Sequence, residues 1–152
     1  MKINFKTYNT NPNFKSAYTV SSVTINDKYY GNKQKDKLYA VTKALSDGIY
    51  RGTLSREVQD SVNRVFPDLK YHPFVMIGRS ATHGQHVNIL TAADAQEYKN
   101  IFLLNYSPEE TRETARWVLN DILKRRGYKK ISITAEEHNG KLTITGINKI
   151  QK

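Results

Sequence analysis

The sequence predicts an α+β domain: a mainly antiparallel sheet built from hairpins, with helices packed on one face and elements in the order ββ-αα-ββ-αα-ββ. Three observations carry this. Stretches in which apolar and polar residues alternate come in pairs around turn-forming residues. Stretches with apolar residues three and four apart come in pairs between them. The length, 152 residues, suits one hydrophobic core, so 1–152 reads as a single domain.

Ile3 and Phe5 alternate with polar neighbours over residues 2–8, and Asn9-Thr10-Asn11-Pro12-Asn13 is turn-forming, so this stretch and 16–26 read as a first hairpin. Strict alternation sets Ala17, Thr19, Ser21, Val23 and Ile25 on one face of the second strand, and Tyr18, Val20, Ser22 and Thr24 on the other. The polar run 27–37 reads as a loop.

Leu38, Val41, Thr42, Leu45 and Ile49 recur at helical spacing until Gly48 and Gly52 break the pattern, which places a helix at about 37–49. Ser55 is a capping residue before Val58, Val62, Val65 and Phe66, and Pro67 stops the run, giving a second helix at about 55–66. Residues 73–78 and 86–90 read as short strands around a polar loop, 79–85. Thr91, with Asp94 in the first turn, opens a short helix to about residue 100.

Ser107-Pro108-Glu109-Glu110 combines a cap, proline at the first helical position and acids against the positive end of the helix dipole. A long helix to Arg126 follows, with Ala115, Val118, Leu119, Ile122 and Leu123 as its apolar face, Trp117 on the flank and Gly127 as the C-terminal cap. Alternation over 130–135 and 141–147 brackets Asn139-Gly140, a pair whose tolerance of positive φ favours a two-residue hairpin turn.

Charge narrows the function classes. Lys and Arg number 24 against 14 Asp and Glu, a net charge of +10. The excess sits at the ends: residues 1–43 carry eight lysines against Asp27 and Asp36, 44–108 are neutral, and 109–152 carry ten cations against six acids. Such ends suit phosphates or an acidic protein face. The densest cluster is Lys124, Arg125 and Arg126, with Lys129 and Lys130 just beyond; Lys28, Lys33, Lys35 and Lys37 form a second. Tyrosines Tyr29, Tyr30 and Tyr128 lie among these cations, where rings can stack bases while ammonium groups hold phosphates. A bland account competes for the first cluster, since cations in the last turn of a helix offset its dipole.

Other classes find little support. No apolar run nears the roughly 18 residues of a membrane span, and residues 1–6 lack a signal-peptide core, so a cytoplasmic protein is expected. With no cysteine there is no disulfide, thiolate nucleophile or cysteine-ligated metal. His83 and His86, with Asp94 and Glu97 downstream, offer metal-ligand chemistry, but H-x-x-H across a glycine matches no site spacing, and two loop histidines are the default. No glycine-rich phosphate loop or nucleophile elbow occurs. Arg56, Gln59 and Asn63 could read base edges from a winged helix-turn-helix, but Glu57 and Asp60 stand beside them in the neutral third of the chain.

The expectation is a small basic non-enzymatic protein, without cofactor, metal or catalytic residues, that engages nucleic acid or a nucleic-acid-bound protein through its basic terminal regions. The alternative is a phage- or plasmid-type inhibitor of a host defence nuclease, CRISPR effectors included, acting through a protein interface. A small nuclease ranks third, its metal-free form using a histidine as base and a cation against the phosphorane.

Overall fold

The structure, a computed structural model, describes residues 17–67, 73–80, 84–126 and 129–150. The expected strand over 2–8 and the glycine cap at 127 lie outside them. The elements are β1 (Ala17–Ile25), β2 (Lys28–Tyr30), α1 (Lys35–Arg51), α2 (Arg56–Val65), β3 (Phe74–Ser80), β4 (Gly84–Leu90), α3 (Ala92–Asn100), a 3-10 turn (Ile101–Leu103), α4 (Pro108–Arg126), β5 (Lys130–His138) and β6 (Lys141–Lys149). The fold is α+β.

The sheet differs from expectation in being mixed. Its order is β3-β4-β1-β5-β6, with β1 parallel to β5 and antiparallel to β4. The pairs β3–β4 and β5–β6 are hairpins, and β1 is inserted between them. A parallel neighbour needs a long crossover, supplied here by everything between β2 and β5, and no local pattern announces such a pairing. The order at the amino end differs too. The described hairpin partner of β1 is β2, inside the stretch read as a loop. Asn26 and Asp27 make its two-residue turn, with φ of 50° and 69°.

The second correction concerns faces. In β1, Val20 aligns with Ile131 and Ser22 with Ser132, so Ser21 is an extra, bulged residue, its hydroxyl 3.3 Å from the Ile131 carbonyl. Beyond the bulge the alternation changes phase. Tyr18, Val20, Val23 and Ile25 therefore all face one core, contrary to the split that strict alternation implies.

Helices cover both faces of the sheet, not one. On the first face α1 and α2 deliver Leu38, Val41, Leu45, Val58, Val62 and Val65 onto β1, Ile131, Ile133, Ile144 and Ile147, and Phe66 meets Tyr18 edge-on with ring centroids 4.6 Å apart. On the second, Leu119, Ile122 and Leu123 of α4 with Ala95 and Tyr98 of α3 bury Ala17 and Leu90. Successive residues such as Ile89 and Leu90 thus enter opposite cores, which explains why the amino-terminal half of β1 is buried on both sides. Each buried aliphatic side chain contributes roughly 1.5–3 kcal/mol, so neither layer is dispensable.

The helix ends follow the sequence closely. The Ser55 hydroxyl accepts from the Val58 amide at 3.3 Å. Ser107 and Glu110 form a reciprocal box: the Glu110 amide donates to the Ser107 hydroxyl at 3.2 Å, and the Ser107 amide to Glu110 Oε1 at 2.9 Å. Two local readings fail. Gly48 does not break α1, which runs on to Arg51; it sits under Leu54, whose Cδ2 would be 2.5 Å from an added Cβ, and the stop is Gly52 at φ 69°. Trp117 does not flank the apolar stripe; half a turn out of phase with Leu119 and Ile122, it is 69% exposed.

Candidate nucleic-acid interface

The second basic cluster is assembled by three tight local structures. The Asn26-Asp27 turn reverses the chain into β2, where Lys28 pairs with Ile25, Tyr29 with Thr24 and Tyr30 with Val23. Paired residues share a face, so Lys28 and Tyr30 lie on the α1 side while Tyr29 points to the opposite face. A second turn, closed by the Gln34 amide on the Gly31 carbonyl at 3.0 Å and by the Gly31 amide on Gln34 Oε1 at 3.2 Å, exposes Lys33 and starts α1. Lys35 and Lys37 stand in the first turn of α1. The ammonium groups of Lys28 and Lys37 approach the Tyr30 ring, 5.6 and 5.5 Å from its centroid, and that ring packs on the core. Tyr29 is 69% exposed, its ring lying across Gly31.

Electrostatically this cluster is unusual. Among the described residues, none of Lys28, Lys33, Lys35 and Lys37 has a carboxylate within ion-pair distance. Lys35 and Lys37 also sit at the positive end of the α1 dipole, where cations destabilise a helix and Asp36 is the only acid of the first turn. Helix stability does not explain them.

The first cluster has the opposite character. Lys124 and Arg125 close α4, the end at which the dipole favours cations. Arg125 Nε lies 3.0 Å from Asp121 and its Nη2 3.3 Å from Glu97. Partial burial alone would lower the Arg125 pKa, but the bond to Asp121 and the field of Glu97 outweigh it and hold the guanidinium above its ordinary value. Lys129 gives its carbonyl to the Thr19 amide at 2.9 Å, and Lys130 is exposed at the start of β5. Arg126 is the last residue of α4, and Tyr128 lies outside the described residues.

The two clusters do not merge. Lys130 aligns with Thr19, whereas Lys28 follows Ile25, which aligns with Ala135. At about 3.3 Å per residue, the clusters stand about 20 Å apart along the parallel pair.

On the opposite side of the sheet from Lys28 and α1 lies a surface the sequence did not single out. The second helical layer lies over β3 and the β1 end nearest Ala17, leaving the same face of β5 and β6 without a helix among the described residues. Ser132 is paired there with Asn148, Thr134 with Gly146, Glu136 with Thr143 and His138 with Lys141. Ser132 and Thr134 are half-buried, while Glu136, His138, Lys141, Thr143 and Asn148 are exposed. Thr24 and Tyr29 continue this face across β1 and β2. Alternation marks these residues as the polar side of their strands, but only the tertiary fold decides which half of the sheet a helix covers.

A separate apolar surface lies where α3 passes to α4. Phe102, Leu103, Leu104 and Tyr106 are 54%, 80%, 49% and 44% exposed, beside an open cleft of about 670 Å³ lined by Tyr106, Ser107, Glu109, Glu110, Glu113 and Thr114. The sequence signal was a four-residue apolar run that fits neither neighbouring helix.

The other candidates are placed differently. His83 lies outside the described residues, His86 is in β4, and no group of three or more metal-ligating side chains converges among the described residues. α2 packs Val58, Val62 and Val65 inward, and Gln59 donates to Asn63 Oδ1 at 3.1 Å. No helix among the described residues is long and apolar enough to cross a membrane. No family model matches the chain, and neither the curated proteins nor the solved structures searched include a match to it.

Proposed function

We propose that the chain is a small basic, non-enzymatic nucleic-acid-binding protein whose principal phosphate contacts come from Lys28, Lys33, Lys35 and Lys37. The observation that carries this reading is the set of lysines without carboxylate partners among the described residues, Lys35 and Lys37 in the first turn of α1, beside an exposed Tyr29. Cations in that position raise the local potential at a cost to the helix, and a polyanion recovers the cost. The test is fluorescence anisotropy with labelled single- and double-stranded DNA and RNA at two salt concentrations. The triple variant Lys28→Glu, Lys33→Glu, Lys37→Glu should bind at least about tenfold more weakly, as loss of several phosphate contacts requires. Unchanged affinity in a folded variant overturns the reading, and labelled substrate cut on a gel overturns its non-enzymatic part.

A second reading is favoured by the apolar surface at Phe102–Tyr106: an inhibitor that docks on a host defence nuclease through a protein interface. Monomers seldom leave several large apolar side chains exposed side by side, and such patches mark interfaces. A complex of this kind should persist at high salt and be lost on Leu103→Asp. Loss of the complex as salt rises, with Leu103→Asp neutral, counts against it.

A further inference from the structure

We infer that the face of β5 and β6 left without a helix among the described residues, continued by Thr24 and Tyr29, is the seat of a single-stranded nucleic acid that runs between Lys130 and Lys141. This rests on the nucleic-acid reading and specifies its ligand. Lys130 lies at one end of the face and Lys141 at the other, about 25 Å apart at strand rise. The hydroxyls of Ser132, Thr134 and Thr143 and the Asn148 amide, set along the face, can donate to phosphate oxygens and base edges. Tyr29, exposed at the β2 end, offers its ring to an unpaired base, which a duplex does not present. Glu136 is the one carboxylate of the face among the described residues, 3.5 Å from His138 Nε2, and it directs phosphates towards the Thr24–Tyr29 side.

Gly146 separates this face from an ordinary solvated strand. Serine and threonine occur on solvated strands for their strand propensity alone. A strand-interior glycine needs another cause, and positive φ is not it here, since the described glycines with positive φ are Gly52 and Gly140. An added Cβ would meet only the Thr134 Cβ, at 3.8 Å, an ordinary contact. Following the bulge at Thr145, Gly146 leaves the row from Thr24 through Thr134 flat and lets a ligand approach the backbone.

The probes are fluorescein-labelled oligothymidine and oligouridine of about twelve nucleotides, within the span of known single-strand sites, and a duplex of the same length. Wild-type chain should prefer the single strands at least about tenfold. Thr134→Glu with Gly146→Glu should cut single-strand affinity at least about tenfold while leaving the circular dichroism spectrum and melting temperature near wild type; Thr53→Glu with Asn63→Glu, two exposed positions away from this face, is the charge-matched control, expected to bind as wild type does. Preference for the duplex overturns the inference. So does an unchanged Thr134, Gly146 variant while the Lys28, Lys33, Lys37 variant fails, an outcome that leaves the broader reading standing. A wild-type chain that binds none of the probes overturns both.

Discussion

Ser107 and Glu110 satisfy each other's amides, and no other group in the described structure closes the start of α4. Ser107→Ala should destabilise the protein by about 1 kcal/mol, measured by denaturant unfolding, because one amide loses its acceptor. Phe66 is a larger case: 2% exposed and edge-on to Tyr18, it plugs the first core where α2 ends. Phe66→Ala should cost about 3–5 kcal/mol, a large share of the roughly 5–15 kcal/mol that holds a domain together. Tyr98 supplies a pH dependence. Burial disfavours its phenolate and raises its pKa above the ordinary 10.0. The folded state therefore holds the proton more tightly, so its stabilisation is complete below about pH 10 and is lost as pH rises through the raised value. Wild type should lose more stability than Tyr98→Phe between about pH 9 and pH 11; equal losses would show that the phenol does not contribute.

At the scale of elements, the β5–β6 hairpin was legible because its turn chemistry is local: Asn139 and Gly140 take φ of 54° and 78°, which Asn and Gly tolerate best. Gly140→Ala should cost roughly 1–2 kcal/mol by forcing a Cβ into the left-handed region, with the loss seen in thermal unfolding. Helices α2 and α4 were legible for a similar reason, since capping serine and apolar period lie within a few residues of each other; α1 was read from its period alone and α3 from Thr91 and Asp94, where Thr91 holds the cap position without a side-chain cap bond. The misreadings came from signals that are not local. Ser21 changes the phase of β1 without any side-chain signature, so strict alternation misassigned Val23 and Ile25. β2 hid in a lysine- and tyrosine-rich stretch because three residues carry no measurable period, although Asn26-Asp27 before it was a readable turn. The parallel pairing of β1 with β5, and with it the second helical layer, depends on residues more than a hundred positions apart, and no window along the chain contains both.

Over the whole molecule, the +10 charge was legible as a total but not as a surface. Composition placed the excess at both ends of the chain; the topology sets the described clusters at opposite ends of β1–β5 and in different electrostatic surroundings. At Lys124–Arg125 the cations are matched by a helix dipole, Asp121 and Glu97. Around Lys28–Lys37 no carboxylate of the described chain pairs with them, and the open face, on the other side of the sheet, starts at Lys130. This separation has a measurable consequence under the proposed reading. Each phosphate contact releases counterions, so for single strands the slope of log affinity against log salt is about −0.7 per contact, or about −3 for four lysines. Lys130→Ala should make that slope shallower by about 0.7, and so should Lys33→Ala, because each removes one of the proposed phosphate contacts. Arg125→Ala should leave the slope unchanged, its guanidinium being engaged by Asp121 and Glu97. Equal effects of all three substitutions would mean that affinity follows net charge alone, with no path fixed on the surface. A slope near zero in wild type would instead place the binding energy in a desolvated interface such as Phe102–Tyr106, where burial of apolar side chains is insensitive to counterions.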